Sequence, residues 1–213
     1  MTRLSKKLSP VPSRRRLPTA DRRREIVDTL LELLAEGSVE GVSTPAISRR
    51  LGVSQAAIFK HFNSKQEIWA AVMDRIGDLI APALAGAQCS DATPHERVRD
   101  IAQAYVSIVE KTPAMLAILF HPEVLVRDVA VRAVLVERFL RLETVFHDAA
   151  TAAIAAGAYR KDASPEQISL LLVTILQGTL LRWTLADRGF DLSEAVDQAI
   201  RHASYGFLTD TSF

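Results

Sequence analysis

The sequence of 213 residues has a single cysteine, Cys89, and no long uninterrupted apolar run. One cysteine excludes an internal disulfide and a cysteine-rich zinc site, and it fits a reducing compartment. The longest apolar stretch, Ile168 to Leu181, contains Thr174 and Gln177 and is too short to span a bilayer, so we expect a buried helix there. No apolar run follows the first basic residues, which predicts that there is no secretory signal. We therefore expect a cytoplasmic protein without membrane contact.

The sequence also lacks the short motifs of common enzymes. It has no glycine-rich phosphate loop, no His-Glu-x-x-His, no Gly-x-Ser-x-Gly and no cluster of metal ligands. Cys89 lies in a polar stretch with no sign of a histidine partner. We predict that the chain is not an enzyme and needs no metal or cofactor. The five histidines are scattered along the chain, at positions 61, 95, 121, 147 and 202.

The charges are divided unevenly along the chain. Residues 1–65 hold 13 Lys and Arg against 6 Asp and Glu, whereas residues 66–213 hold 13 against 19. A basic head on an acidic body suggests that the head alone meets a polyanion. The alternative is a charged, disordered tail, because six of the basic residues precede Leu17.

Apolar residues recur at spacings of three and four along almost the whole chain, and no alternating strand pattern is visible. We predict an all-α protein with an N-terminal three-helix helix-turn-helix domain and a larger C-terminal helical domain. The expected parts are a flexible basic arm over 1–18, the helix-turn-helix domain over 19–67, a linking helix over 64–85 and the C-terminal domain over 68–213. The other expected helices cover about 21–36, 45–51, 55–61, 94–111, 114–120, 123–156, 165–186 and 193–208.

The pattern of caps and turns is sharpest between residues 43 and 61. Ser43, followed by Thr44 and Pro45, predicts the start of a helix. Gly52 can adopt positive φ, so a sharp turn is expected there, and Ser54 would cap the next helix. Two short helices joined by a glycine turn are typical of a unit that places its second helix in a DNA major groove.

The residues that follow this turn resemble those of the TetR (tetracycline-repressor) family of bacterial transcription regulators. The resemblance rests on Gly52-Val53-Ser54, on Ala57-Ile58-Phe59-Lys60-His61-Phe62 and on Ser64-Lys65-Gln66-Glu67-Ile68, within about residues 20–70. It implies a homodimer that binds a palindromic operator and is released by a small ligand. Phe59 departs from the family, which usually has tyrosine there, so one phosphate contact is lost.

DNA contacts are expected from both helices and from the start of the helix after them. Ser43, Thr44 and Lys65 are assigned to phosphates, although pure capping is an equal alternative for the two hydroxyls. Gln55 can pair with adenine and Ala56 can meet a thymine methyl group. The complete predicted set is Ser43, Thr44, Ser54, Gln55, Ala56, Ala57, Phe59, Lys60, His61 and Lys65. For His61 a phosphate contact and a local cap of the helix end both stay open.

The C-terminal region is expected to form the dimer and to hold the ligand. The helix over 165–186 is apolar nearly all round, so a partner chain could cover its outer side together with the helix over 193–208. Burial within one chain is the alternative. The unknown, hydrophobic effector needs a pocket with few polar groups. Its candidate contacts are Tyr105, Met115, Phe120, His121, Phe139, Phe146, His147, Gln177 and Trp183, each of which could instead be core.

Two other functions stay open. The chain could be an all-helical interaction protein that has lost DNA binding, or it could activate transcription without a small-molecule effector. The sequence does not separate a repressor from an activator.

Overall fold

The computed structural model describes residues 18–36, 43–119 and 129–209, and these residues form helices with no β-strand among them. The all-α prediction is confirmed. The predicted arm, apart from Pro18, and the candidate ligand contacts Phe120 and His121 lie outside the described residues. The helices are α1 (Thr19–Ala35), α2 (Thr44–Leu51), α3 (Gln55–Phe59), α4 (Lys65–Gln88), α5 (Pro94–Lys111), α6 (Ala114–Leu119), α7 (Val129–Ala155), α8 (Pro165–Leu185) and α9 (Leu192–Ser204).

Side-chain caps begin six of the described helices, α2 to α5, α8 and α9. The hydroxyl of Thr93 accepts from the backbone N–H of Glu96, and the Glu96 carboxylate accepts from the backbone N–H of Thr93 in return. This reciprocal pair satisfies two N–H groups that the first turn of a helix leaves unpaired. Ser164 and Asp191 cap α8 and α9 in the simpler way, through one side-chain acceptor each.

Each of the described helices contributes side chains to the apolar core. α1 packs on α2, α4 and α6, while α4, α5 and α7 contact one another and α8 and α9 close the far side. Phe62, Val72, Phe146 and Leu172 have no measurable exposure. Burial of apolar area of this kind is the main force that holds such a bundle together.

The last helix ends earlier than its sequence predicts. α9 stops at Ser204, and the expected continuation to 208 is wrong. The chain instead turns, so that the Phe207 carbonyl accepts from Arg160 N–H at 2.9 Å and the Ala158 carbonyl accepts from Thr209 N–H at 3.1 Å. These contacts, with the Phe207 ring 4.7 Å from that of Tyr159, replace the hydrogen bonds of another helical turn.

α8 is the described helix that is long and apolar enough to cross a membrane by length and composition alone. It has 21 residues. It is therefore longer than the apolar run from Ile168 to Leu181, whose length predicts a segment too short to span a bilayer. One face of α8 is buried against α7 and α9. The opposite face exposes the side chains of Leu170, Leu171, Leu181 and Leu185.

Candidate nucleic-acid interface and ligand cavity

α2 and α3 form the sharp helix pair that the caps predict. The hydroxyl of Ser43 accepts from Ala46 N–H at 3.3 Å, and that of Ser54 accepts from Ala57 N–H at 3.2 Å. Between the helices, Gly52 has φ 62° and ψ 38°, a left-handed conformation in which a side chain is disfavoured. The chain therefore leaves α2 and enters α3 within three residues.

Ile58 and Phe62 anchor this pair to the core, since neither side chain has measurable exposure. Ser48, in the position where two helices lie close, is buried and donates its hydroxyl hydrogen to the Pro45 carbonyl at 2.9 Å. A small side chain with its polar group satisfied fits such a contact. With Ile58 inward, the opposite face of α3 is left to solvent.

The predicted DNA contacts occupy three places at this end of the molecule. Ser43 and Thr44 begin α2 and are half-buried, and Lys65 begins α4 with its side chain exposed. Ala57 and His61 are half-buried. The other members lie on or beside α3 and are exposed: Ser54, Gln55, Ala56, Phe59 and Lys60.

Phe59 leaves 43% of its surface exposed, an unusual position for a phenylalanine. The phenyl ring lies on the exposed side of α3, where the hydroxyl group of a tyrosine would point outward. The sequence predicts that α3 continues to His61. The helix instead ends at Phe59, where the chain passes into a turn. Because phenylalanine has no hydroxyl group, this chain cannot make the phosphate contact that the hydroxyl of a tyrosine at position 59 would make.

Arg23 of α1 holds the end of this helix pair in place. Its guanidinium donates to the His61 carbonyl oxygen and, at 2.7 Å, to Oε1 of Glu67. It also lies 4.1 Å from the centre of the Phe62 ring, a cation–π contact. Nη1 of Arg23 is thus engaged within the protein. Its neighbour Arg24 has an exposed side chain.

Glu67 is the residue that joins Arg23 to the start of α4. Its carboxylate accepts from the backbone N–H of Asn63 at 2.7 Å, and this bond, followed by the one from Arg23, lowers its pKa. The hydroxyl of Ser64 accepts from Glu67 N–H at 3.1 Å. The Ser64 hydroxyl thus caps the start of α4, and the Glu67 carboxylate links α4 to Arg23 of α1.

For His61, the structure bears on only one of its two predicted roles. Its Nδ1 is buried and has no hydrogen-bond partner among the described residues. The local capping role considered for it is therefore not made through that nitrogen, and a phosphate contact through the other nitrogen stays a prediction.

A cavity of about 250 Å³ lies among α4, α5, α6 and α7, with Leu180 of α8 at one side. Its walls are mostly aliphatic side chains, and the polar residues among its described walls are Gln88, Tyr105, Arg138 and Arg141. Burial raises the pKa of Tyr105 to about 12, so the phenol stays neutral and can act as a hydrogen-bond donor. A mostly apolar cavity with a few polar groups is the common form of a small-molecule site.

Three of the candidate ligand contacts line this cavity: Tyr105, Met115 and Phe139. Four others lie elsewhere. Phe146 is fully buried, and the Trp183 indole donates to the Phe190 carbonyl at 2.9 Å. The ring nitrogens of His147 lie 3.5 Å from Asp148 and from Glu166. Gln177 is half-buried on α8 and is not among the lining residues.

Sequence reasoning missed Arg138, which follows Glu137 in α7 and has the pattern of a surface charge. The residue that makes room for it is Gly77 on α4. A Cβ built on Gly77 would lie 2.8 Å from Cζ and Nη1 of Arg138, so only glycine leaves room for this guanidinium. No sequence pattern connects the two positions, because they are far apart in the chain.

Comparison with known proteins agrees with this geometry. Residues 26–72, which cover most of α1 and all of α2 and α3, match the family of bacterial regulatory proteins called the tetR family. The chain contains a tetR-family DNA-binding domain. It is therefore a DNA-binding transcriptional regulator, and the predicted resemblance is confirmed.

Relatives match far more of the chain than residues 26–72. The nucleoid occlusion factor SlmA of Haemophilus influenzae is 21% identical over 182 residues, which cover 85% of this chain and 84% of SlmA. A transcriptional regulator of Saccharomonospora viridis, solved in complex with choline, has a TM-score of 0.75 at 18% identity and covers 89% of this chain and 98% of its own. SmeT, the repressor of a Stenotrophomonas maltophilia multidrug efflux pump, solved with triclosan, has a TM-score of 0.72 at 18% identity, with 91% and 94% covered. The structural likenesses show that the chain shares the fold of these two regulators over 89% and 91% of its length.

Proposed function

We propose that this tetR-family chain is a homodimeric, cytoplasmic repressor that binds a palindromic operator and leaves it when a small hydrophobic ligand enters the cavity. One observation carries the proposal: the same chain has an exposed α3 in a helix-turn-helix and an apolar cavity bounded by α4. A DNA-binding element and a ligand site in one chain are the two parts that an effector-controlled regulator requires.

The DNA contacts divide into positioning and base contacts. Ser43, Thr44 and Lys65 are assigned to phosphates, while Gln55 and Ala56 are assigned to base edges. The exposure of the Gln55 and Ala56 side chains on α3 supports this division. One such unit contacts few base pairs, so a two-fold dimer on a palindrome would double the recognised sequence.

The dimer is assigned to α8 and α9. The support is the outward row of leucines on α8, which a soluble monomer would leave in contact with water. A second copy related by two-fold symmetry would cover this row with its own, since the same patch serves both partners in such an interface.

α4 is the element through which the ligand would act on the DNA-binding end. It begins beside α3, lines the cavity with Met73 and Ile76, and its Arg75 donates to Asp28 of α1 at 3.2 Å. A ligand shifts DNA affinity only if it binds the DNA-competent and incompetent arrangements unequally. The contacts of α4 on both sides make such a difference possible.

In vitro selection from a pool of random DNA tests the proposal. We expect a palindrome to be enriched, and Gln55→Ala and Lys60→Ala each to weaken binding to it. Lys111→Ala is the matched control, because Lys111 is an exposed lysine at the end of α5. Enrichment of no sequence, or equal binding by all four proteins, would contradict the proposal and favour the all-helical interaction protein. A promoter-reporter assay separates repression from activation.

The sequence likeness to SlmA supports a second candidate, a DNA-bound factor of nucleoid occlusion. Mapping of bound sites across the chromosome separates the two. A repressor is expected at a few promoters, whereas a nucleoid factor is expected at many sites away from them.

A further inference from the structure

The polar groups of the cavity are not balanced in charge. The described wall contains two guanidinium groups, those of Arg138 and Arg141, and no carboxylate. Arg141 is partly neutralised outside the cavity, where it donates to Glu137 at 2.6 Å and leaves most of its side chain in solvent. Arg138 is the more enclosed of the two.

Arg138 has fewer partners than its burial calls for. Its Nη2 donates to Asp74 at 3.1 Å, but the Asp74 side chain is 73% exposed. Its Nε is buried and has no hydrogen-bond partner among the described residues. A buried donor without an acceptor is costly, so this nitrogen marks a place where an acceptor is missing.

Gly77 fixes where the guanidinium lies. The flat group packs on the bare backbone of α4, at a distance where any Cβ would collide with it. Both Gly77 and Arg138 belong to the cavity wall, so the guanidinium forms part of the surface that a ligand meets. A guanidinium offers several donors in one plane and matches the two oxygens of a carboxylate.

The remaining wall decides what the carboxylate is attached to. Ile80, Leu84, Val109 and Leu142 are aliphatic, and they give a ligand no further hydrogen bonds. A neutral apolar ligand would fill this space but leave Nε unpaired. A cation such as a quaternary ammonium group would find no carboxylate on the described wall with which to pair.

We propose that the cavity binds an amphipathic monocarboxylate, whose acid group pairs with Arg138 and whose apolar body lies along α4, α5 and α7. This proposal rests on the proposed function, because it names the class of ligand for the cavity of that regulator. The acid accepts from the unpaired Nε and shares the guanidinium with Asp74 or displaces it. Arg138 is then the residue that selects acids over neutral and cationic ligands of the same length.

Calorimetric titration of the full chain tests the proposal with three probes of equal chain length: decanoate, 1-decanol and decyltrimethylammonium. We expect decanoate to bind at least about tenfold more tightly than either of the others, as for a charge-assisted pair of hydrogen bonds. Arg138→Gln should weaken decanoate about tenfold and change 1-decanol less than about twofold, with Arg138→Lys between the two. Equal affinity of decanoate and 1-decanol, or no effect of Arg138→Gln on decanoate, would overturn it.

Arg99→Gln is the matched control. Arg99 is a paired guanidinium of the same part of the chain, 2.5 Å from Asp197, and it lies outside the cavity. Its replacement should leave decanoate affinity unchanged within about twofold. If Arg138→Gln does not fold, the comparison of decanoate with 1-decanol on the unchanged protein decides the matter by itself.

Binding of the selected operator, measured without any probe, keeps the two proposals apart. Operator binding without a preference for decanoate rejects the ligand class alone. A preference for decanoate in a protein that binds no operator supports the ligand class and rejects the regulator.

Discussion

The guanidinium of Arg138 packs against the backbone of Gly77, so that α7 reaches α4 through a contact that only a residue without a side chain permits. A methyl group at Gly77 would lie 2.8 Å from Cζ and Nη1 of Arg138, and 3.1 Å from Nη2. Since the colliding group is the far end of a flexible side chain, we expect it to move and the helices to stay.

Gly77→Ala should therefore keep the fold and impair the cavity. The helix gains about 1 kcal/mol from the loss of a glycine, which offsets the displacement of the guanidinium. Gly86→Ala is the control, because Gly86 lies on the same helix with no atom near its added Cβ. Thermal denaturation should show both variants folded, with Gly86→Ala the more stable. Decanoate titration should show a loss for Gly77→Ala alone, and equal behaviour of the two variants would contradict the role given to this contact.

Arg23 should be a stability residue of the DNA-binding end. Arg23→Ala removes a charge-assisted hydrogen bond to the His61 carbonyl and a cation–π contact with Phe62, so we expect a loss on the order of 2 kcal/mol in the free energy of unfolding. Arg24→Ala, next in the chain and exposed, should cost much less. Denaturant unfolding measures both. Equal losses would mean that the contacts of Arg23 contribute nothing of their own.

The caps of α2 and α3 could be predicted from the sequence because each depends on neighbours in the chain. Ser43 and Ser54 bond to an N–H three residues on, and Gly52 takes the turn that its missing side chain permits. Local sequence contains all that such contacts need. The exposure of Gln55 and Ala56 followed in the same way from the inward position of Ile58.

The errors arose where distant residues meet. α3 ends at Phe59, and the carbonyl of the following His61 is taken by Arg23, 38 positions earlier. α9 ends at Ser204 because Phe207 packs on Tyr159 across another part of the chain. The contact of Arg138 with Gly77 also joins distant parts of the chain, and the spacing of apolar residues does not predict it.

Phe59→Tyr should strengthen operator binding. The ring is already exposed on α3, so an added hydroxyl can reach a phosphate without moving the helix. One charge-assisted hydrogen bond would raise affinity by about tenfold. The salt dependence of binding should stay the same, because a phenol releases no counterion from DNA. Titration at several salt concentrations measures both quantities, with Phe59→Leu as the control that is expected to show no gain.

Leu171→Glu should convert the proposed dimer to monomers. Leu171 is 42% exposed on the outer face of α8, and two-fold symmetry would place two buried, unpaired carboxylates in the interface. We expect the dimer dissociation constant to rise by about a hundredfold or more. Leu140→Glu, on an exposed position of α7, is the control. Sedimentation equilibrium gives the masses, and a dimer that survives Leu171→Glu but not Leu140→Glu would move the interface to α7.

His95 should make the folded protein less stable as the pH falls below 6.5. Burial, followed by the positive charge of Arg99, lowers its pKa from 6.5, and its Nδ1 lies 3.2 Å from the Tyr159 hydroxyl. The folded protein therefore keeps His95 neutral at a pH where the unfolded chain has begun to bind the proton. Its contribution is complete above pH 6.5 and is lost as the pH falls from there towards the folded pKa, by less than about 1.4 kcal/mol per pH unit.

Thermal denaturation at pH 7.5 and 5.5 measures this loss. The carboxylates whose pKa is lowered, Glu96 and Asp197 among them, start from 4.5 or below and do not titrate in that interval. His95→Gln should reduce the difference between the two melting temperatures by a few degrees, whereas His202→Gln, at an exposed position of α9, should leave it unchanged. An unchanged difference in His95→Gln would place the acid sensitivity elsewhere than in the contact of His95 with Tyr159.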